Sequence, residues 1–118
     1  MPAYWLARSR ISDPVEYKRY TDQVPSIIAK FGGKVLARGG RFQILEGPEK
    51  FHRFVVIEFE TLEQGVKCFE SPEYQEAAAF RRNGGGVVEN VIVDDHFVGV
   101  SALAADGSES LVTFGGRR

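Results

Sequence analysis

The chain has 118 residues, 43% of them apolar and 26% charged, and 15 basic residues balance 16 acidic ones to a net charge of −1. This length suits one globular domain and excludes two domains with separate cores. The balanced charge excludes an overall basic surface, so we expect no nucleic-acid partner. The apolar runs are strand-sized, which excludes a membrane-spanning helix, and we expect no membrane partner.

The chain contains one cysteine and two histidines, which limits disulfide and metal chemistry. Cys68 cannot form an intrachain disulfide, and with the absence of a signal-peptide pattern it favours a cytoplasmic protein. We expect Cys68 to pack as a small apolar group rather than to react. His52 and His96 are isolated from other metal ligands, so we expect no metal and no cofactor. The pattern favours an exposed loop position for His52, with a role as an acid or base as the alternative.

Hydrophobic periodicity predicts strands and helices that alternate along the chain. Stretches typical of strands span residues 3–11, 34–38, 41–45, 53–60 and 87–94. Apolar stripes at helical spacing, each begun by a capping residue, predict helices over residues 14–31 and 61–82. Pro25 predicts a kink in the first helix. Ser71, followed by Pro72, predicts that the second helix stops and restarts there.

The order of these elements is β-α-β-β-α-β, with residues 34–45 as a hairpin-like pair, and it is typical of the ferredoxin-like split βαβ fold. We therefore predict an α+β domain over residues 1–96, with two helices on one face of an antiparallel sheet. The other face would expose apolar residues such as Leu36 and Val56, and a second copy of the chain would cover them in a homodimer. The composition of the C-terminal extension, residues 97–118, favours a flexible end over a strand that packs on a partner.

Short motifs lie where these elements begin and end. They are Tyr17-x-x-Tyr20, Pro25, Gly32-Gly33, Arg38-Gly39-Gly40, Glu46-Gly47, Val55-Val56-Ile57-Glu58-Phe59 and Ser71-Pro72-Glu73-Tyr74. Over residues 3–94 the chain resembles the DUF1330 family, short bacterial proteins within the dimeric α+β barrel superfamily. The resemblance implies the ferredoxin-like fold and the dimer. The superfamily includes cofactor-free monooxygenases, small isomerases and cyclases, and haem-binding proteins, so it implies chemistry only by analogy of fold.

Arg38 and Gly39 form the first candidate site. At a strand end, the Arg38 guanidinium could hold a carboxylate or an enolate through two hydrogen bonds. The alternative is a glycine bulge with Arg38 paired across the sheet. The predicted strand order brings Glu58 close to Arg38 and to Arg8 or Arg10 on one face. That cluster would be either a buried ionic network at the dimer seam or a general base held by arginines in a cavity.

Aromatic and basic residues on the helices form the second candidate site. Tyr17 and Tyr20 share a helix face, as do Tyr74 and Arg81, and these residues either pack in the core or line a ligand cleft where a phenol donates to an oxyanion. One hypothesis is a cofactor-independent oxygenase, isomerase or cyclase acting on a small organic acid or aromatic compound. Its catalytic residues would be Arg38, Glu58 and Tyr20, and its ligand-binding residues Tyr17, Tyr74, Arg81 and Gly39. The alternative is a non-catalytic dimer that binds a small ligand or a protein.

Overall fold

The computed structural model describes residues 2–94, which form a four-stranded antiparallel sheet with helices on one face. The elements are β1 (Ala3–Ile11), α1 (Pro14–Lys30), β2 (Lys34–Arg38), β3 (Arg53–Phe59), α2 (Leu62–Glu70), α3 (Pro72–Phe80) and β4 (Gly86–Asp94). A short turn, Arg81–Gly85, links α3 to β4, and its backbone leaves helical geometry at Asn83 and Gly84. The strand order is β2-β3-β1-β4, and every neighbouring pair is antiparallel, which confirms the predicted α+β split βαβ fold. The predicted extension over residues 97–118 lies outside the described residues.

Capping residues set the helix boundaries. The Asp13 carboxylate accepts hydrogen bonds from the backbone N–H groups of Val15 and Glu16, and Pro14 occupies the first helical position. Helix α1 continues through Pro25 to Lys30. The Ser71 hydroxyl accepts from the backbone N–H of Tyr74 and donates to the carbonyl of the last turn of α2, which confirms the predicted break between α2 and α3.

The predicted strand over residues 41–45 is wrong. Residues 40–52 contain no helix or strand, and they connect β2 to β3. Gly39 and Gly47 have φ angles of 63° and 119°, which turn the chain away from an extended path. One apolar residue of this loop, Phe42, contacts the sheet, with its ring centroid 5.0 Å from that of Phe54, whereas Leu45 is exposed. The alternation over residues 41–45 is therefore not accompanied by strand pairing.

The core lies between the sheet and the helices. The inward positions of β1 and β3 are buried, among them Trp5, Ile57 and Phe59, and they pack against tyrosines and small residues of α1 and α3. Cys68 is buried in this core, which confirms its predicted packing, and burial raises the pKa of its thiol to about 11. No helix among residues 2–94 is both long and apolar enough to cross a membrane.

The opposite face of the sheet, called the outer face below, is not covered by any helix. Its strands expose the apolar side chains of Leu6, Val87, Val91 and Val93. Of the two residues that the sequence analysis names, Leu36 is exposed and Val56 is half-buried. Arg8 and Glu89 form an ion pair of 2.8 Å across this face. The sheet therefore has one face packed by its own helices and one largely apolar face that remains open.

Candidate functional site

A cavity of about 380 Å³ lies between the inner face of the sheet and α1. We call it the sheet–helix cavity. Most of its wall is apolar: Trp5, Ala7, Val24, Pro25, Ile28, Val35, Val55, Ile57 and Val88. Its polar lining residues are fewer: Ser9, Tyr17, Tyr20, Thr21, Arg38, Arg53, Tyr74 and Asn90. An apolar wall with a few polar groups is the usual composition of a small-ligand site.

Two arginines contribute the positive charge of the cavity. Arg38 ends β2 opposite Val55, and Arg53 begins β3 opposite Ser9, so both residues belong to the inner face. Among residues 2–94, no carboxylate forms an ion pair with either guanidinium. A Cβ atom on Gly39 would lie 3.4 Å from Nε of Arg53, so the turn after β2 approaches that side chain closely. The pair offers donors in the planar geometry that suits a carboxylate.

A β-bulge explains why Arg38 faces the cavity. Val35 pairs with Ile57 and Ala37 with Val56, so one residue of β2, Leu36, has no counterpart on β3. In an unbroken strand Ala37 would share the face of Val35, and Arg38 would point to the outer face. The extra residue reverses this order and places Arg38 on the inner face, as bulges beside functional sites often do.

Tyr17 and Tyr20 line the cavity from α1, but their hydroxyls have different partners. The Tyr17 hydroxyl bonds Ser9 Oγ at 3.1 Å, and the Arg53 guanidinium lies 5.8 Å from the centroid of the Tyr17 ring. The Tyr20 hydroxyl lies 2.7 Å from that of Tyr74. Burial, reinforced by Tyr74, raises the pKa of Tyr20 far above the usual value for a phenol. Tyr20 therefore remains a neutral hydroxyl that donates a hydrogen bond, and it is unsuited to act as a base.

Asn90 on β4 supplies a further polar group. Its side-chain carbonyl accepts a 2.8 Å hydrogen bond from the indole N–H of Trp5, which fixes the orientation of the amide. No residue in the described part of the chain accepts a hydrogen bond from the Asn90 amide nitrogen. That nitrogen can therefore donate to a molecule in the cavity.

The predicted cluster of Arg38 and Glu58 does not form. Glu58 pairs with Tyr4 and Lys34 and lies on the outer side of β3, whereas Arg38 lies on the inner side because of the bulge. Glu58 lines a separate depression beside Lys34, at the other end of β3. The predicted flanking by Arg8 is also wrong, since Arg8 pairs with Glu89. The interpretation of Glu58 as a base held by arginines therefore has no geometric basis in this protomer.

The other predicted site residues lie in or near the cavity. Tyr17, Tyr20, Tyr74 and Arg38 line it. Arg81 is buried behind Tyr74, to which its Nη2 atom donates at 3.2 Å.

The remaining metal and acid–base candidates lie away from the cavity. His52 is exposed in the loop before β3, and its Nε2 atom accepts from the backbone N–H of Ile11. Within residues 2–94, no group of three His, Cys, Asp or Glu side chains has the geometry to hold a metal ion. His96 lies outside the described residues.

Sequence reasoning missed Arg53, Ser9 and Asn90. Each is a polar residue at an inward position of a strand whose inward neighbours are apolar: Ser9 follows Trp5 and Ala7 at a spacing of two, and Arg53 precedes Val55. Asn90 interrupts the apolar run of β4. The sequence pattern that could have revealed them is a polar residue at the two-residue spacing of buried apolar residues. A polar side chain at such a position needs a hydrogen-bond partner in the interior.

The antiparallel sheet and its helices place the chain among ferredoxin-like α+β proteins. Residues 2–95 match the model of the family described as a domain of unknown function, DUF1330, and the chain belongs to this family, as the sequence motifs predict. No curated protein gives a significant match.

Solved structures of similar fold come from several bacteria. A protein of unknown function from Rhodopseudomonas palustris is 19% identical over 82% of this chain and 84% of its own, with a TM-score of 0.64. A dimeric ferredoxin-like protein of unknown function from Jannaschia sp. CCS1 is 12% identical over 80% and 99% of the two chains, with a TM-score of 0.59. SnoaB, a cofactor-independent oxygenase from Streptomyces nogalater, is 13% identical over 82% and 95%, with a TM-score of 0.53. At these identities the likeness concerns the fold.

Proposed function

We propose that this chain is a small cofactor-independent enzyme, of the oxygenase, isomerase or cyclase type, that acts on an aromatic or otherwise apolar organic acid bound in the sheet–helix cavity. One observation carries the proposal: Arg38 and Arg53 bring two guanidinium groups, which have no carboxylate partner among residues 2–94, to a cavity whose other lining residues are apolar or uncharged. The likeness of the fold to SnoaB, a cofactor-independent oxygenase, supports the reaction class by analogy.

The size and composition of the cavity favour this ligand class. About 380 Å³ lies within the range of small-molecule sites, roughly 300–1,000 Å³, and suits a compound with one or two rings. The rings would pack against Trp5 and the apolar side chains of α1, while the carboxylate would bind one or both arginines. Arg38 is exposed and Arg53 is half-buried, so both guanidiniums can be hydrated in the free protein. A carboxylate gains charge-assisted hydrogen bonds from them that a neutral compound of the same shape cannot form, so the acid is preferred.

The polar groups of the cavity suit the stabilisation of negative charge. Tyr20 and Asn90 can both donate hydrogen bonds into the cavity, and the arginines add positive charge, so an enolate or a phenolate formed from the substrate would be stabilised. The lining residues in the described part of the chain include no Asp, Glu or His. The substrate we propose is therefore one whose own C–H or O–H group is acidic enough in this cationic environment to give its proton to water.

The same lack of a lining carboxylate or histidine favours a second candidate function, a non-catalytic protein that binds a small organic anion. General-base catalysis normally uses such a side chain within hydrogen-bond reach of the proton that is removed. A binding protein needs only the arginines and the apolar wall.

We also propose that the chain forms a homodimer through the outer face. The exposed apolar side chains of β1 and β4 are adjacent there, and a second copy would remove them from water. The solved structure of similar fold from Jannaschia sp. CCS1 is of a protein described as dimeric, which supports this assembly.

Binding of 2-naphthoate and of its neutral analogue 2-naphthalenemethanol tests the function. We expect the wild-type chain to bind the acid at least about tenfold more tightly than the alcohol, because a hydrogen bond to a charged group contributes about 1.5–3 kcal/mol. Arg38→Met or Arg53→Met should remove most of this preference. Arg10→Met, at an exposed position of β1, is the matched control. Equal affinity for acid and alcohol in the wild-type protein would refute the proposal.

Turnover assays separate the two candidate functions. Compounds that raise the melting temperature would be incubated in air with protein free of added cofactors, and products would be identified by mass spectrometry. Conversion that disappears in Arg38→Met, with the melting temperature unchanged, supports an enzyme. Binding without conversion for every compound that binds supports the binding protein.

A further inference from the structure

Arg81 is a buried cation without an anionic partner in the described part of the chain. It begins the turn after α3, and the residue is 5% exposed. Its Nη2 atom donates to the hydroxyl of Tyr74, and its guanidinium carbon lies 5.2 Å from the centroid of the Tyr20 ring. No carboxylate of residues 2–94 forms an ion pair with it, and its Nε atom has no hydrogen-bond partner there. Keeping such a charge in the interior is costly, so a role beyond packing is expected.

Of the two hydrogen bonds of the Tyr74 hydroxyl, the one with Arg81 has a fixed direction, and burial favours a direction for the one with Tyr20. A guanidinium donates and never accepts, so the Tyr74 oxygen accepts from Arg81. Tyr74 is fully buried, and among the described residues the Tyr20 oxygen is the only acceptor within reach of its hydroxyl proton. Either hydroxyl could donate across this 2.7 Å contact, but Tyr74 is the more deeply buried of the two, so the arrangement that leaves the Tyr20 proton, and not the Tyr74 proton, without a protein partner is favoured. Tyr74 therefore donates to Tyr20.

This direction decides where the Tyr20 proton points. The Tyr20 oxygen receives the proton of Tyr74, so its own hydrogen is left for another acceptor. Tyr20 lines the sheet–helix cavity, whereas Arg81 does not. The free hydrogen of Tyr20 is therefore available to a molecule in that cavity, and successive hydrogen bonds in a low-dielectric interior strengthen one another.

We propose that Arg81 and Tyr74 are positioning residues, which hold Tyr20 as a hydrogen-bond donor to an anionic oxygen of the ligand and transmit the positive charge of Arg81 to it. This inference rests on the proposed function, because it requires a ligand in the sheet–helix cavity. It changes the predicted role of Arg81 from direct ligand contact to control of Tyr20, and it adds this control to the position of Tyr74 in the cavity wall. The inference also restricts the class of ligand. The ligand carries both a carboxylate, which binds the arginines, and an enol or phenol oxygen, which accepts a hydrogen bond from Tyr20.

The ionisation of bound 4-nitrophenol tests the inference, because its phenolate is coloured and its phenol form is not. Absorbance titrations give the ratio of phenolate affinity to phenol affinity. We expect Arg81→Met to lower that ratio about tenfold, the effect of losing one charge-assisted hydrogen bond, with the phenol affinity within about twofold of wild type. Arg82→Met is the matched control, since Arg82 is exposed and bonds Gln75 instead.

A double-mutant cycle gives a second measurement that does not depend on Arg81→Met being folded. If Tyr74 acts through Tyr20, Tyr74→Phe lowers the affinity ratio in the wild-type background and has no further effect in a Tyr20→Phe background. Equal effects in both backgrounds would overturn the proposal, as would an unchanged ratio in folded Arg81→Met. A wild-type protein that binds neither 4-nitrophenol nor 2-naphthoate would instead refute the proposed function, and this inference with it.

Discussion

Leu6→Glu is expected to separate the proposed dimer into folded protomers. Leu6 on β1 lies between Val56 on β3 and Val91 on β4, in the middle of the outer face. In the single protomer Leu6 is 39% exposed, and burial of that fraction against a second copy contributes about 1 kcal/mol per protomer. A carboxylate at the same place would lose its hydration on dimerisation, which costs several kcal/mol more, whereas in the free protomer it remains partly hydrated.

We therefore expect Leu6→Glu to raise the dimer dissociation constant at least about a thousandfold, which corresponds to ~4 kcal/mol. Sedimentation velocity over a concentration series measures this constant, and circular dichroism checks the fold. Val15→Glu is the matched control, since Val15 is 68% exposed on the first turn of α1. A folded Leu6→Glu protein that dimerises like wild type would refute the reasoning. A wild-type chain that stays monomeric at high concentration would refute it as well.

Three further predictions concern the core. A Cβ atom on Gly33 would lie 2.5 Å from a methyl carbon of Ile28, whereas a Cβ atom on Gly40 would meet no other atom within 4 Å. Urea denaturation should therefore show that Gly33→Ala lowers the free energy of unfolding by about 1–3 kcal/mol and that Gly40→Ala lowers it far less. Burial raises the pKa of the Cys68 thiol from 9.0 to about 11, so Cys68 should react with a thiol reagent at pH 8 much more slowly in the folded than in the unfolded chain. Because the folded form holds this proton more tightly, the free energy of unfolding should decline as the pH rises from 9.0 towards about 11, and Cys68→Ala should remove that part of the decline. Equal reaction rates in the folded and unfolded chain would contradict the burial argument.

Most of the fold could be predicted because local chemistry and tertiary packing agree. The alternation along β1 gives its inward residues, and the caps at Asp13 and Ser71 begin α1 and α3 where the sequence predicts. The predicted strand over residues 41–45 was wrong because alternating polarity is also found in segments that are not paired in a sheet. The pattern does not say whether the backbone finds a strand to pair with.

The site was harder to predict because it depends on register. A single unpaired residue, Leu36, moves Arg38 from the outer face to the inner one, and no periodicity in the sequence marks that bulge. Arg38 is also far from Glu58 along the strand, because Glu58 pairs with Lys34 at the other end of β2. The prediction that Tyr74 and Arg81 share a face is confirmed by their hydrogen bond, since a separation of seven residues corresponds to about two helical turns. The spacing could not show that Tyr74 reaches the cavity while Arg81 stays behind it.

A crystal structure of the chain with 2-naphthoate tests the central claim most directly. The account predicts the ligand in the sheet–helix cavity, with its carboxylate about 2.7–2.9 Å from a guanidinium nitrogen of Arg38 or Arg53 and its rings against Trp5. A carboxylate bound instead beside Lys34, or a ligand on the outer face with the cavity empty, would contradict it.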